Sequence, residues 1–202
     1  LSEGNTLLFA HGFALTYKAM TQIVPPAPID VILVAPKCSG HSVREHFIAG
    51  KAINVSYAIF QDGSTRAKES VLSYAFSMGA TNAFETTVNN EVLSDLTGER
   101  GVLIGALAGI MEAQYQVLRS NGHSPTEAFN ETVEELTESL LPLISANGID
   151  GLLSNCSTTA QRGALDWMPR FKAATLPLFD ELYEAVKNGN EAKRVLEKNS
   201  QE

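Results

Sequence analysis

Four acidic residues are spaced so that they can work in pairs. Asp95 and Glu99 are four residues apart, and so are Glu131 and Glu135. In a helix this spacing places the side chains of a pair on one face, about 5–6 Å apart. Carboxylates that close repel each other unless a cation lies between them, and such hard oxygen ligands suit Mg²⁺, Mn²⁺ or Ca²⁺ rather than Zn²⁺. The four residues are therefore candidate ligands of divalent metal ions.

Each pair also has an interpretation without a metal. Glu131 and Glu135 lie opposite the apolar stripe of their predicted helix, which is typical of a solvated face. Asp95 and Glu99 begin a predicted helix, where the helix dipole favours acidic side chains. A di-iron bundle needs Glu-x-x-His, and none of the four histidines lies in such a motif. The pattern therefore disfavours a di-iron oxidase.

Further candidate site residues follow predicted strands. His11 and Lys37 each come directly after a short apolar run, and open α/β sheets bind ligands at the carboxyl ends of their strands. A histidine there can exchange protons, and a lysine can hold an anion. Ser157, Thr158 and Thr159 form a hydroxyl cluster that either binds a substrate carboxylate or caps a helix.

The elements that position these residues change character near residue 87. Up to that point short β-branched runs alternate with helical segments such as Ala67–Met78, which favours a parallel sheet. The predicted strands are Thr6–Ala10, Asp30–Pro36, Ile53–Phe60 and Ala83–Thr87. Residues 88–202 contain helical patterns only. The sequence thus predicts an α/β domain over 1–87 followed by an all-α domain over 88–202.

Two helices of the second domain carry the carboxylate pairs. The first is predicted over 92–118, with three glycines on one face that we interpret as a site of tight core packing. These glycines are Gly101, Gly105 and Gly109. The second helix opens with Ser124, Pro125 and Glu127, which form the pattern of a capping box with proline at the first helical position. It is predicted to continue to about Ile144.

Charge and composition narrow the classes of partner. The net charge is −8, and residues 88–202 hold seventeen acidic against nine basic residues. Such a surface repels phosphate backbones, so we expect no nucleic-acid partner. Two distant cysteines, Cys38 and Cys156, fit a reduced compartment without a disulfide framework. The longest apolar run, Gly101 to Met111, is too short to span a bilayer, so we expect no membrane partner.

Taken together, these segments resemble the ketol-acid reductoisomerase family, and the fungal mitochondrial short forms in particular. The matching segments occur in family order and cover nearly the whole chain. They are LLFAHGF (7–13), DVILVAPKCSG (30–40), FQD (60–62), SDLTGERGVLIG (94–105), GHSPTEAFNETVEEL (122–136) and CSTTAQRGALDW (156–167).

The resemblance implies a Rossmann-like NADP-binding domain followed by a knotted helical domain that binds metal and substrate. It implies that Asp95 and Glu99 from one helix, and Glu131 and Glu135 from another, hold two Mg²⁺ ions in sites shared across a homodimer. It also implies a soluble protein of the mitochondrial matrix, acting in valine and isoleucine biosynthesis.

The same resemblance assigns roles to single residues. His11 and Lys37 take the positions of active-site residues, Gly40 that of a glycine touching NADP, and Ser157 that of a substrate-binding serine. The implied reaction is a Mg²⁺-assisted alkyl migration in 2-acetolactate or 2-aceto-2-hydroxybutanoate, followed by reduction with NADPH to the 2,3-dihydroxy acid.

Two departures from the family pattern bear on these expectations. The chain contains no G-x-G-x-x-G, and we expect that NADP loop to lie upstream of Leu1. Cys38 stands where the family usually has glycine, and it is strained if the loop needs a positive φ. A truncated, non-catalytic paralogue that keeps a metal-binding helical domain, or a different carboxylate-metal enzyme such as a hydrolase, therefore stays open.

Overall fold

The computed structural model describes residues 1–200, which divide into two compact units. The sheet unit consists of Leu1–Leu96 together with the segment from Ala185 onward, and the helical unit consists of Thr97–Glu184. The unit boundary lies within a helix, and the predicted division into domains after residue 87 stays a prediction.

A four-stranded sheet with the order β1-β2-β3-β4 organises the first unit. The strands are β1 (Thr6–Phe9), β2 (Asp30–Pro36), β3 (Ile53–Gln61) and β4 (Ala80–Glu85). β1 pairs parallel to β2 and β3 parallel to β4, but β2 and β3 run antiparallel. The sheet is therefore mixed rather than wholly parallel as expected. The apolar pattern of a buried strand carries no information on its direction, which the connecting segments decide.

The sheet is covered on both faces, which explains the uninterrupted apolar run of β2. Alternate residues of a strand point to opposite faces. Ile32 and Val34 accordingly enter one buried cluster with Ala67, Val71 and Ala75, whereas Val31 and Leu33 enter another with Leu15 and Val88. Burying an aliphatic side chain of this kind stabilises the fold by about 1.5–3 kcal/mol.

Short helices surround this sheet. They are α1 (Phe13–Thr16), α2 (Lys18–Thr21), α3 (Gly40–Ala49), α4 (Ala67–Ser77), α5 (Val88–Arg100) and, near the end of the chain, α10 (Asn190–Asn199). The Ser39 side chain caps α3, and Gly50 ends it with φ of 62°. Among the described residues, the non-glycine positions with positive φ are Gln22 and Thr65. The loop therefore does not require a positive φ at Cys38, and the condition under which this residue would be strained is not met.

The long helix predicted over 92–118 is interrupted. α5 ends at Arg100, a turn follows, and α6 (Gly105–Ser120) begins a new helix. A Cβ on Gly105 would lie 2.1 Å from the Arg100 carbonyl oxygen, whereas Gly109 has open space around it. Gly101 and Gly105 thus allow the close turn between the two helices. The tight core packing predicted for all three glycines is wrong at Gly109.

The predicted capping box is confirmed. The Ser124 hydroxyl accepts the Glu127 N–H, and the Glu127 carboxylate accepts the Ser124 N–H. After α7 (Pro125–Phe129) the helix widens into two π-helical segments, Asn130–Glu134 and Leu136–Leu140. α8 (Leu141–Asn155) and α9 (Thr158–Lys187) complete the helical unit. The capped helix thus continues beyond Ile144, with a kink where Gly148 has φ of 71°.

One stretch of residues 1–200, Val88–Ser120, is long and apolar enough to cross a membrane by length and composition. A core helix of a soluble protein passes the same test, so a single stretch is weak evidence. We expected no membrane partner because the longest uninterrupted apolar run is too short to span a bilayer. That expectation stays a prediction.

Candidate active site and metal ligands

His11 and Lys37 lie at the same edge of the sheet. β1 and β2 are adjacent and parallel, with Phe9 in register with Leu33, so their carboxyl ends meet. His11 follows β1 by two residues, and Lys37 follows β2 directly. The backbone N–H of Lys37 is further fixed by donating to the Asn54 carbonyl, 2.8 Å away.

Both ring nitrogens of the His11 imidazole lie close to neighbouring groups. Nε2 lies 3.2 Å from Oδ2 of Asp95, and the Phe13 backbone N–H donates to Nδ1 over 3.3 Å. Since Nδ1 accepts a hydrogen bond, the neutral ring carries its proton on Nε2, facing the carboxylate. About a third of each side chain is exposed, 32% for His11 and 29% for Asp95. A ligand can therefore reach both groups.

Gly12 explains how His11 comes so close to α5. A Cβ at this position would lie 2.5 Å from Cγ1 of Val88 and 3.0 Å from Cγ2 of Val92. Only a residue without a side chain allows the turn after β1 to rest on this helix. The HGF segment thus places the imidazole against Asp95, one turn further along α5.

Lys37 forms an ion pair that the sequence did not suggest. Its Nζ donates to Oε1 of Glu91 over 2.9 Å. The Glu91 side chain is only 1% exposed, whereas that of Lys37 is 31% exposed. The other carboxylate oxygen of Glu91 is buried without a hydrogen-bond partner among residues 1–200. Buried polar atoms are rarely left unpaired, so this oxygen is a candidate acceptor for a bound donor such as a water molecule.

α5 is the element that carries these acidic groups. Glu91, Asp95 and Glu99 follow one another at four-residue spacing and therefore share one face of the helix. The helix begins at Val88 rather than at residue 92, so Asp95 and Glu99 lie outside its first turn and the dipole interpretation applies to Glu91 instead. The repeat of acidic residues was visible in the sequence, but the predicted helix start excluded Glu91 from it.

Glu131 and Glu135 share one pocket of the helical unit. Both are exposed, and both line a cavity of about 230 Å³ together with Leu107, Met111 and Gln114 of α6. Gln114 Nε2 donates to the Glu131 carbonyl over 3.1 Å. Single π-helical turns occur often at functional sites because they re-aim side chains. The solvated-face interpretation is therefore incomplete, since the two carboxylates open onto a common space.

The donor set fits a hard divalent cation. All four predicted ligands are carboxylates, the oxygen donors that Mg²⁺ takes in proteins. Within residues 1–200, however, no group of three or more His, Cys, Asp or Glu side chains is close enough to hold a metal ion. That the four carboxylates form one metal site stays a prediction.

Ser157 and Gly40 both lie at helix starts. The Ser157 hydroxyl accepts the Ala160 N–H over 3.3 Å, so it caps α9. This confirms the capping interpretation, while the binding of substrate by Ser157 stays a prediction. Gly40 opens α3 with no atom within 4 Å of where a Cβ would lie. A ligand can approach that backbone closely, and the role of Gly40 in cofactor binding stays a prediction.

Two family models match consecutive parts of the chain. Residues 1–83 match "Acetohydroxy acid isomeroreductase, NADPH-binding domain", and residues 88–202 match "Ketol-acid reductoisomerase, C-terminal domain". Together they account for almost every residue.

Individual proteins agree with the family models. The chain is 60% identical to the ketol-acid reductoisomerase (NAD(+)) of Desulfosudis oleivorans, covering 99% of this chain and 57% of that protein. It is 54% identical to the mitochondrial ketol-acid reductoisomerase of Saccharomyces cerevisiae, covering 100% of this chain and 51% of that protein. The chain thus spans about half the length of the curated relatives it matches.

A solved structure extends the likeness to three dimensions. The NADH-preferring ketol-acid reductoisomerase from an uncultured archean superimposes with a TM-score of 0.93 at 30% identity, covering 100% of this chain and 60% of that one. This agreement confirms the fold class, a Rossmann-like sheet domain with a helical domain.

Proposed function

Because the chain belongs to the ketol-acid reductoisomerase family, we propose that the protein containing it converts 2-acetolactate and 2-aceto-2-hydroxybutanoate to 2,3-dihydroxy acids. This would place it in valine and isoleucine biosynthesis. The observation that carries the proposal is α5, which presents Glu91 to Lys37 and Asp95 to His11 within the sheet unit. These are acid–base groups of the kind that proton transfer at a hydroxyl and a ketone requires.

Lys37 and Glu91 are suited to holding a proton at a substrate oxygen. The buried Glu91 carboxylate shares one oxygen with the ammonium of Lys37 and leaves the other oxygen open. A substrate hydroxyl that donates to the open oxygen has an acceptor in a site with little water, where hydrogen bonds to charged groups are strong. The neighbouring ammonium stabilises the negative charge that remains on the pair.

His11 is suited to orienting Asp95 and to exchanging a proton beside it. The Nε2–H faces Oδ2 of Asp95, and Nδ1 is occupied by the Phe13 N–H. The ring therefore cannot rotate without losing both contacts. A carboxylate that is held in one rotamer offers its second oxygen to a cation in a defined direction.

We further propose Asp95, Glu99, Glu131 and Glu135 as the ligands of two Mg²⁺ ions, and NADPH as the reductant. When bound, the ions would polarise the substrate's hydroxyl and keto oxygens, and the nicotinamide would supply hydride. The description of the first family model supports NADPH, while the relative from Desulfosudis oleivorans is named for NAD(+). The ratio of kcat/KM with NADPH and NADH tests this choice.

We propose a homodimer in which the carboxylate pairs of two copies face each other. One observation supports it: the helical unit exposes large apolar side chains such as Trp167 and Phe171. We propose that a second copy, rather than a membrane, covers this apolar surface. Sedimentation velocity of the natural gene product checks the mass; a monomer that turns over substrate would contradict the shared site.

Localisation in the mitochondrial matrix is proposed on the names of three fungal relatives. The bacterial relative, at 60% identity, is more similar in sequence than these. Fractionation of the source cells, with an antibody to this chain, shows whether the protein lies in mitochondria or elsewhere in the cell.

The proposed activity is tested on the natural gene product that contains these residues. NADPH oxidation is followed with 2-acetolactate and Mg²⁺, and the Glu91→Gln variant is compared with Glu69→Gln, whose carboxylate is exposed on α4. We expect turnover in the parent, a loss of about 10²-fold or more in Glu91→Gln, and no change in Glu69→Gln. Folded protein that binds Mg²⁺ without turnover would instead support the non-catalytic paralogue, and Mg²⁺-dependent hydrolysis the third alternative.

A further inference from the structure

A buried hydrogen bond joins the two ends of the chain inside the sheet unit. The Tyr17 hydroxyl donates to the Val186 carbonyl over 2.8 Å, across 169 residues of sequence. Both residues are buried, with exposures of 6% for Tyr17 and 0% for Val186. A bond in such surroundings is stronger than one in water, and it adds to the bond that the same carbonyl accepts from the Gly189 N–H over 3.1 Å.

The segment that accepts this bond packs closely on α2. We call Ala185–Asn199 the C-terminal clasp. Its turn has Gly189 at φ of +83°, and a Cβ there would lie 2.6 Å from Cε of Met20. Beyond the turn, Ala192 of α10 is only 1% exposed. The clasp therefore holds the short α1–α2 segment that directly follows the HGF residues.

Contacts continue from Tyr17 to the imidazole of His11. The Tyr17 ring packs edge-on against Phe13, with ring centroids 4.9 Å apart. The Tyr17 N–H donates to the Phe13 carbonyl over 3.0 Å, and the Phe13 N–H donates to His11 Nδ1. Phe13 is thus fixed on one side by Tyr17 and itself fixes the ring of His11 on the other.

We propose that Tyr17 is a positioning residue, through which the C-terminal clasp fixes the His11 imidazole against Asp95. α1 has only four residues, too few to be stable alone. Its geometry therefore depends on the contacts at its two ends. Gly12 packs against α5 at one end, and Tyr17 bonds to the clasp at the other. The catalytic part of this inference rests on the proposed function, but the placement of the imidazole does not.

The test compares two buried tyrosines in the natural gene product. Tyr17→Phe removes only the hydroxyl that reaches the clasp. Tyr57→Phe is the matched control: Tyr57 is also 6% exposed, and its hydroxyl bonds Lys68 and Glu85. Tyr57 enters the buried cluster on the opposite face from Leu15. Both variants should lose similar stability, so thermal denaturation is measured alongside the kinetics.

We expect kcat to fall about five- to tenfold in Tyr17→Phe, since small misplacements of a catalytic group are costly. KM for 2-acetolactate should stay within about twofold, and kcat of Tyr57→Phe should match the parent. Equal kcat in both variants, with similar losses of stability, would show that Tyr17 is merely structural and would overturn the inference.

A second measurement does not depend on turnover. In ¹⁵N-histidine spectra the His11 signal, assigned by its loss in His11→Gln, should show the Nε2–H tautomer in the parent and in Tyr57→Phe. Tyr17→Phe should show a mixture of tautomers, because the Phe13 N–H is held less firmly against Nδ1 once Tyr17 loses its bond to the clasp. An unchanged His11 signal would overturn the positioning role even if the gene product proved inactive, which keeps this failure distinct from failure of the proposed function.

Discussion

The sheet unit and the helical unit bury their apolar side chains to very different degrees. Among residues 1–200, Ala128 is the one fully buried apolar residue of the helical unit, while the sheet unit holds all the others. The helical unit leaves Val102, Leu103 and Ile104 each more than 60% exposed. It also contains an apolar groove of about 600 Å³ between residues of α6, α8 and α9.

This difference in burial divides the predicted site residues into two groups. His11, Lys37, Glu91 and Asp95 are placed by a core that one chain completes, so their geometry is set before any partner binds. Glu131 and Glu135 are placed by helices whose apolar faces still need covering. Under the proposed function, the helical unit is the half that we expect to depend on assembly.

The largest effect is expected from removing the carboxylates of the helical unit. Glu131→Gln with Glu135→Gln should reduce Mg²⁺-dependent turnover about 10³-fold, or about 4 kcal/mol, because the ions lose two charged ligands. Glu138→Gln is the control, since it lies on the same π-helical stretch but does not line the pocket. Activity at saturating Mg²⁺ is the measurement, and retained activity in the double variant would remove these residues from the metal site.

A smaller effect, on stability rather than turnover, is expected within the sheet unit. Lys37→Met should lower the free energy of unfolding by about 3 kcal/mol, because it leaves the buried Glu91 carboxylate without its counter-ion. Adding Glu91→Gln should restore part of that loss, as judged by urea denaturation. If the two substitutions proved simply additive, the ion pair would have no role in stabilising this unit.

Asp30 gives the sheet unit a dependence on pH. The Ser64 hydroxyl and backbone N–H donate to its buried carboxylate over 2.7 and 2.9 Å, and the hydroxyl bond above all holds the pKa of Asp30 below its ordinary value. A lowered folded-state pKa stabilises the fold above about pH 4, and this stability is lost as the pH falls through the folded-state value.

Asp30→Asn should therefore cost about 2 kcal/mol at pH 7. The deficit relative to the parent should shrink as the pH is lowered from 5 to 2, where both chains carry an uncharged side chain. Urea denaturation across that range is the measurement. A deficit that does not change with pH would mean that the negative charge of Asp30 has no part in it.

The smallest effect should be equal in the two units. Ser39 caps α3 in the sheet unit, and Ser124 caps α7 in the helical unit. Replacing either serine by alanine should cost about 1 kcal/mol, because each hydroxyl accepts one backbone N–H. Thermal denaturation of the two variants is the comparison. A much larger loss for Ser124→Ala would show that assembly, and not only the local helix, depends on this cap.

Local features were predictable where neighbouring residues decide them. The bounds of β2 and the capping box at Ser124 follow from patterns a few residues long, and the structure confirms them. The break after Arg100 was missed because an apolar sequence with spaced glycines satisfies one long helix as well as two. The antiparallel pairing of β2 and β3 was missed because strand composition has no direction.

The sequence by itself determined the family, the two kinds of domain and the residue types available for chemistry. It placed His11 and Lys37 after strands and Asp95 and Glu99 on one helix, since these facts depend on short-range periodicity. Only the tertiary structure decided that Glu91 is buried against Lys37, that Asp95 faces His11, and that Tyr17 reaches Val186. Those contacts join residues 54, 84 and 169 positions apart, and packing rather than local propensity selects such partners.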